Sequence, residues 1–226
     1  MTNNSTTEEA RWMVRTARWA LLIVAIAVLA GCRSTGYVKS DATAWKMQDL
    51  ARQVRAEGLE LKTTTSGLDD LVNTPSGNLR PQFQQFGRAL DQLVASKKRA
   101  GNVAGALERK RTAYFEGWDK QTLSISAEDL RKQSEARRRE VSSQYETTFG
   151  RFHETQQALA PLIGYLQDIR KALDSDLTVP GLQAVKPSVV STGEKATQLQ
   201  AQLTQSADEL DGLAARMSSF APQESK

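Results

Sequence analysis

Apolar residues recur every three or four positions in four long rows that occupy most of the chain. The rows run from Met47 to Val72, from Leu79 to Trp118, from Leu130 to Leu173 and from Leu182 to Met217. Their spacing is close to the repeat of about 3.5 residues that places a stripe on one side of a coiled-coil helix. Each row therefore predicts a long helix with one buried stripe and an otherwise polar surface.

Turn-forming residues separate the rows. They cluster at 73–78 (Asn-Thr-Pro-Ser-Gly-Asn) and at 174–181 (Asp-Ser-Asp-Leu-Thr-Val-Pro-Gly). The pattern also stops at 124–126, where Ser126 followed by Asp129 predicts an N-cap and an acidic first turn. We expect Pro161 to kink or break the third helix, and Pro187 to lie in the first turns of the fourth helix or to divide it.

These elements predict an all-α fold, an elongated antiparallel bundle of three to four long helices with coiled-coil character over residues 45–220. The first helix is the shortest, and we expect it to pack along half of the bundle. The second row is thin where Lys97 and Arg111 lie on the stripe, with Gly101 and Gly105 nearby. Either the neighbouring helices approach closely there or that helix is loosely packed. Residues 221–226 are expected to form a disordered tail.

The N-terminal region has the pattern of a secretory signal. Residues 19–30 carry no charge, and Arg11, Arg15 and Arg18 precede them. A membrane-spanning helix needs about 20 apolar residues, so export and cleavage are favoured over permanent spanning. Met13 would also start a signal of conventional length.

The chain's only cysteine follows this apolar run directly. Leu29, Ala30, Gly31 and Cys32 resemble the lipobox of bacterial lipoproteins. The resemblance implies a signal peptide over residues 1–31, lipid on Cys32 and a lipid-anchored tether over residues 32–44. It also implies the periplasmic face of the outer membrane, because Arg33 stands where an aspartate would retain a lipoprotein in the inner membrane. The alternatives are an uncleaved signal anchor and an ordinary buried cysteine.

Composition narrows the class of protein. The net charge of +4 is too small to require a nucleic-acid partner. With its one cysteine lipidated, the exported chain would have no disulfide. Aromatic residues make up 6% of the chain and proline is scarce, which favours helices over sheets.

No residue pattern predicts a catalytic, metal or cofactor site. His153 is the only histidine, and Glu146 and Glu154 are its nearest acidic neighbours in sequence. A metal site needs three or four converging ligands, so a surface or seam histidine is expected. No serine lies in an elbow motif and no glycine-rich phosphate loop is present, so we expect no enzymatic activity and no cofactor.

Three basic runs and one aromatic cluster have alternative interpretations. The runs are residues 97–99, 109–111 and 137–139. On one side of the bundle they would give weak contact with anionic envelope polymers, but a solvated face paired locally with glutamates is favoured. Tyr114, Phe115 and Trp118 are expected to be core residues rather than a binding site, because they lie on or beside the second stripe.

Five blocks in the second and third rows form a recognisable series: residues 114–120 (Tyr-Phe-Glu-Gly-Trp-Asp-Lys), 130–134 (Leu-Arg-Lys-Gln-Ser), Tyr145, 160–163 (Ala-Pro-Leu-Ile) and 166–168 (Leu-Gln-Asp). In this order and spacing they are similar to a bacterial family known as domain of unknown function 2959. The similarity spans about residues 40–218 and departs at 173–179. It implies an exported helical coiled-coil protein with no assigned reaction, so no functional residue is transferred from it.

The sequence thus predicts a lipid-anchored envelope protein that acts as a structural spacer, scaffold or protein-interaction module. Its partners would be the membrane, through the lipid on Cys32, and a protein partner or a second copy of the chain. The alternative is a ligand-binding lipoprotein in which the thin region around Gly101 and Gly105 opens into a groove for a lipid or a hydrophobic small molecule.

Overall fold

The computed structural model describes residues 35–220. The predicted signal peptide, the lipobox residues Leu29, Ala30 and Gly31, the lipidation site Cys32 and the predicted tail at 221–226 lie outside the described residues. The described residues from Gly36 onwards form one compact unit.

Four helices account for nearly all of the described chain: α1 (Gly36–Asn73), α2 (Leu79–Leu123), α3 (Glu128–Ser175) and α4 (Val179–Met217). α1 packs against α2 and α4, and α3 packs against α4 and α2, so the four helices close a ring. The prediction of an all-α antiparallel bundle is confirmed, with four helices and no strand within residues 35–220. No helix in this range combines the length and the apolar character needed to cross a membrane.

The predicted stripes form one continuous core. Each helix contributes fully buried leucines or aromatic residues at its stripe positions, among them Leu50, Leu61, Phe86, Leu107, Phe152, Leu166 and Leu203. Burial of each such side chain contributes about 1.5–3 kcal/mol. Because every helix is polar on most of its faces, none can cover its own stripe, and the bundle is the arrangement in which all four are covered.

Helix α1 begins at Gly36, nine residues before the predicted start of the bundle. Residues 36–44 of the predicted tether are therefore helical, and Ser40, Thr43 and Ala44 are buried. The Ser40 hydroxyl donates a hydrogen bond to the carbonyl oxygen of Met217, at the end of α4. This contact stabilises a first turn whose composition alone gives no strong helix signal. Three residues, 33–35, remain between Cys32 and the helix.

The first helix also runs further along its neighbours than predicted. At its C-terminal end, the Gln82 side chain donates to the carbonyl oxygen of Thr74 at 3.1 Å. α1 thus reaches α4 near Met217 at one end and the α1–α2 turn at the other. The expectation that it packs along half of the bundle is wrong, because the missed residues at its start supply the rest of its length.

Side-chain caps begin two of the helices. The Asn78 carboxamide oxygen accepts a hydrogen bond from the Arg80 amide at 3.2 Å, and the Thr178 hydroxyl accepts one from the Gly181 amide at 3.2 Å. The predicted cap at Ser126 is wrong, since α3 starts after Ala127, which makes no side-chain cap bond. Glu128 and Asp129 occupy the first turn of α3, where their negative charges interact favourably with the positive end of the helix dipole.

Neither internal proline ends its helix. α3 continues through Pro161 and α4 through Pro187, and both prolines are exposed. The carbonyl group that each proline leaves without a helical partner is therefore on the solvent side of the helix, where it is accessible to water.

Gly101 and Gly105 lie on the outer surface of α2. Both are exposed; an added Cβ would meet nothing within 4 Å at Gly101 and only the flexible Arg109 side chain, at 3.9 Å, at Gly105. No close helix approach and no groove is built on them. Helix α2 passes this region with Ala100, Ala104 and Leu107 buried.

We predict that Gly101→Ala and Gly105→Ala each raise the free energy of unfolding by about 0.5–1 kcal/mol, because alanine restricts the unfolded chain at a helical position with room for a methyl group. Urea denaturation followed by circular dichroism measures the change. Gly181→Ala is the matched control and should destabilise the protein, because its Cβ would lie 2.2 Å from the Asp176 carbonyl oxygen. Loss of stability in all three variants would contradict the outward placement of Gly101 and Gly105.

Candidate functional site

An aromatic cluster lies near the C-terminal end of α2. The ring centroid of Tyr114 is 5.2 Å from that of Phe115 and 5.5 Å from that of Trp118. Tyr114 and Phe115 are buried and Trp118 is partly buried. Burial raises the pKa of the Tyr114 hydroxyl above its ordinary value. The structure thus places these rings in the core, as the sequence predicts.

The Ser134 side chain of α3 completes this cluster from the neighbouring helix. The Trp118 indole N–H donates to the Ser134 hydroxyl at 2.9 Å, and the Thr122 hydroxyl is 2.8 Å from the same oxygen. Ser134 is therefore shared by two residues of α2. This bond gives the partly buried indole N–H its partner, as an aromatic residue with a polar group requires.

An arginine of α3 covers the cluster. Arg138 Nη2 donates to Asp119 Oδ2 at 2.9 Å, and its Nε lies 2.9 Å from Asp119 Oδ1. Its guanidinium carbon is also 4.9 Å from the ring centroid of Phe115, close enough for a cation–π contact. The planar guanidinium satisfies both contacts at once, which a lysine would not.

Two turns further along, a second polar link joins the same helices. The Tyr145 hydroxyl of α3 donates a short hydrogen bond to Glu108 Oε1 of α2. Burial and the neighbouring Glu108 carboxylate raise the pKa of Tyr145, which keeps the phenol protonated as the donor. The Arg111 guanidinium lies 5.2 Å from the Tyr145 ring centroid and 3.3 Å from Glu108 Oε2.

We call this set the α2–α3 junction: Glu108, Arg111, Tyr114, Phe115, Trp118, Asp119 and Thr122 of α2, with Ser134, Arg138 and Tyr145 of α3. Beside it is an open hollow of about 390 Å³ lined by Asp119, Thr122, Leu123, Glu135, Arg138 and Arg139. Charges of both signs line this hollow. Such a surface suits contact with another polar surface, and it shows no nucleophile paired with a base.

Three of the five blocks that resemble the family contribute residues to the α2–α3 junction, whereas 160–163 and 166–168 lie further along α3. Trp118 and Asp119 come from the first block, Ser134 from the second, and Tyr145 stands alone. Sequence reasoning placed the aromatic residues correctly but did not pair Asp119 with Arg138 or Trp118 with Ser134. Asp119 and Arg138 are 19 residues apart and Trp118 and Ser134 are 16 apart, on either side of the turn between α2 and α3. Their similar distances from that turn were the signal that could have paired them.

A second candidate lies in the middle of the core. Glu57 of α1 is fully buried and accepts a hydrogen bond from the Gln156 carboxamide of α3, across the centre of the ring. The Lys97 ammonium group of α2 donates to the carboxamide oxygen of Gln156, Oε1, at 3.4 Å. Burial raises the pKa of Glu57, while the Gln156 bond and the Lys97 charge partly offset that effect.

Glu57 was not recognised from the sequence. In the first row the core positions run Leu50, Val54, Glu57, Leu61, Thr64 and Leu68. This is a regular alternation of steps of three and four, so the spacing alone places a carboxylate in the core. Lys97, which lies on the second stripe, is its charged neighbour.

An open apolar groove lies between α3 and α4 rather than at Gly101 and Gly105. Its volume is about 590 Å³, and Ala158, Pro161, Leu162, Tyr165 and Leu199 form its apolar wall, with Lys195, Gln198 and Gln202 as polar members. The groove predicted around Gly101 and Gly105 is not formed there, because both glycines are exposed on the outer side of α2.

The remaining candidates have structural partners. His153 is exposed and meets the Phe149 ring edge-on, with ring centroids 4.6 Å apart. Within residues 35–220, no three His, Cys, Asp or Glu side chains are grouped to hold a metal ion. Each basic run directs one residue to a partner near a seam: Lys97 to Gln156, Arg111 to Glu108 and Arg138 to Asp119.

We predict that Ser134→Ala lowers the free energy of unfolding by about 1–2 kcal/mol, because the Trp118 indole N–H and the Thr122 hydroxyl lose a shared partner. Chemical denaturation measures the change. Ser143→Ala is the matched control at an exposed position of α3 and should change little. In a double-mutant cycle with Trp118→Phe, additive effects would contradict the bond.

We predict that Glu57→Gln stabilises the protein at neutral pH, on the order of 1 kcal/mol, by removing a buried charge while keeping the shape of the side chain. Because the folded-state pKa lies above the ordinary value of 4.5, wild type loses stability as the pH rises above 4.5. The advantage of the variant should therefore be small below pH 4.5 and grow above it. Urea denaturation across the pH range measures this, with Glu116→Gln at an exposed position of α2 as the control. An advantage independent of pH would contradict it.

Comparison with known proteins gives one finding. The family model described as protein of unknown function (DUF2959) matches residues 30–217, ten residues earlier at the N-terminal side than the similarity recognised from the blocks. No curated protein and no solved structure matches the chain. The family match covers most of the sequence and the whole of the helical bundle, and the chain therefore belongs to the DUF2959 family.

Proposed function

We propose that this protein is a non-enzymatic, lipid-anchored envelope protein whose helical bundle acts as a spacer, scaffold or protein-interaction module. Leu29, Ala30 and Gly31 are the proposed lipobox, and Cys32 carries the lipid. The proposed location is the periplasmic face of the outer membrane, on the argument from Arg33.

The short link between Cys32 and α1 is the observation that carries the proposal. Helix α1 begins at Gly36, so three residues separate the proposed lipid attachment site from a bundle in which every helix has 38 residues or more. At a rise of about 1.5 Å per residue, α2 with its 45 residues is about 68 Å long. A long bundle joined directly to a lipid is suited to holding a surface at a fixed distance from the membrane.

The family match adds support at the same place. It begins at residue 30, two residues before Cys32, so the lipobox cysteine and the bundle fall within a single family unit. Several acyl chains on one residue give a stable anchor where one chain would bind reversibly.

The surface of the bundle fits an interaction role. Exposed charges are paired along and between helices, for example Arg55 of α1 with Asp208 and Asp211 of α4 at 2.7 and 2.6 Å. These exposed ion pairs contribute little to stability, so a partner protein can exchange them for ion pairs of its own at little cost. The hollow beside the α2–α3 junction is the candidate docking position, because it displays both Asp119 and Arg139.

The groove between α3 and α4 supports a second candidate, a ligand-binding lipoprotein. Its wall at Pro161, Tyr165 and Leu199 is apolar, and Lys195 supplies a cation, so a molecule with an apolar chain and an anionic head fits it by chemistry. Ala158→Trp would fill the groove, and Ala113→Trp at an exposed position of α2 is its control. Native mass spectrometry of protein purified from membranes should show a retained lipid in wild type and the control but not in Ala158→Trp. Identical spectra for all three would remove this candidate.

We predict that Cys32→Ser abolishes palmitate labelling and releases the protein from the membrane fraction or leaves its signal uncleaved, because the sulfur is the site of lipid attachment. Labelling of cells followed by fractionation and immunoblotting measures both. Ser34→Ala is the matched control two residues away and should behave as wild type. Equal labelling of the wild-type and Cys32→Ser proteins would refute the proposed anchor.

A further inference from the structure

Five of the eleven exposed large apolar side chains in residues 35–220 lie at one end of the bundle, and the others are spread along the helices at Trp45, Leu59, Val94, Tyr165, Val179 and Val190. Tyr37 and Val38 in the first turn of α1, Leu123 at the end of α2, Leu130 in the first turn of α3 and Phe220 after α4 have exposed fractions of 62%, 43%, 79%, 53% and 68%. We call these five residues the apolar end. Isolated exposed apolar residues are ordinary, but five at one end of a bundle with a covered core require a reason.

Contacts within the fold bring these residues to the same end. Asp41 in the first turns of α1 accepts hydrogen bonds from the backbone N–H and hydroxyl of Ser219, each at 2.7 Å, which places Phe220 beside the start of α1. These bonds lower the pKa of the Asp41 carboxyl, so the contact holds in its charged form. The short loop at 124–127 joins Leu123 to Leu130.

The opposite end has a different surface. Its α1–α2 turn, residues 74–78, is exposed and consists of Thr, Pro, Ser, Gly and Asn. Val179 is the large apolar residue exposed there, at 56%. The two ends thus differ in exposed apolar surface, which is the property that favours contact with a membrane interface.

We propose that the apolar end inserts into the headgroup region of the membrane that holds the lipid of Cys32. The inference rests on the proposed lipidation of Cys32. At about 3.5 Å per extended residue, four steps of chain hold Gly36 within about 14 Å of Cys32. The apolar end is therefore confined to the membrane surface, where tyrosine and phenylalanine side chains gain by burial in the interface.

Charges of both signs lie at this end, with Lys39, Lys120 and Lys132 beside Asp41, Glu128 and Asp129, so attraction by anionic lipid is not the main force. Lys132 pairs with Glu128 at 2.8 Å, and Asp129 lies in the same turn. The insertion is thus driven by apolar burial, and it should persist in high salt, which would screen a charge-driven contact.

The test places a probe at each end of the lipidated protein. Leu123→Cys and Val179→Cys each add a free thiol at an exposed position, while the sulfur of Cys32 is blocked by its lipid. An environment-sensitive fluorophore is attached to each, and the proteins are reconstituted in vesicles of phosphatidylethanolamine and phosphatidylglycerol with bromine on the upper acyl chain. Palmitate labelling of the same preparations reports the anchor separately.

The expected result is a blue-shifted probe at position 123 that lipid bromine quenches several-fold more strongly than the probe at 179, with the difference unchanged by high salt. Labelled protein with equal quenching at the two positions would overturn the insertion and leave the anchor standing. A shielded but unquenched probe at 123 would also overturn it, in favour of a second copy of the chain covering this end. Protein without palmitate label would refute the anchor and, with it, this inference.

Discussion

Mutual coverage of four amphipathic stripes is the constraint on which the rest of the structure depends. Each helix is long and polar on most of its faces, so none gains enough from its own hydrogen bonds to be stable in water alone. Phe86, Phe152, Leu166 and Leu203 are buried only because four stripes meet along one axis. The caps, the turns and the surface ion pairs refine an arrangement that the stripes determine.

The seams are not equivalent in their chemistry. Helices α1 and α2 contribute large apolar residues such as Leu61, Leu68 and Leu90 to the common core, whereas the α2–α3 junction combines aromatic rings with the Trp118–Ser134 and Arg138–Asp119 contacts. Directional polar bonds select one register between helices more strictly than apolar packing does. Trp118, Asp119, Ser134 and Tyr145, which lie in blocks that resemble the family, make contacts at this junction and so contribute to the alignment of α2 with α3.

Helical periodicity was sufficient to predict the fold class, a helix number of three to four and most core positions, because burial imposes the spacing directly. It was insufficient wherever a contact distant in sequence decides the outcome. The first turn of α1 is held by Ser40 on Met217, and Ala127 rather than Ser126 precedes α3. The sequence analysis placed Gly101 and Gly105 near the buried stripe, but they lie on the outer side of α2. Apolar spacing alone does not show on which side of a stripe a neighbouring residue falls. Glu57 was missed because a carboxylate is not expected among buried residues, although its spacing was regular.

The hydrogen bonds between the start of α1 and the end of α4 have a mechanical consequence. A pulling force applied to residue 36 would act along the axis of α1, in shear against both α2 and α4 over its full length. Shear loads many side-chain contacts at the same time, whereas peeling breaks them one after another. The hydrogen bonds of Ser40 and Asp41 hold the N-terminal end of α1, where peeling would begin, against the end of α4. They therefore increase the resistance of the bundle to tension applied at that end.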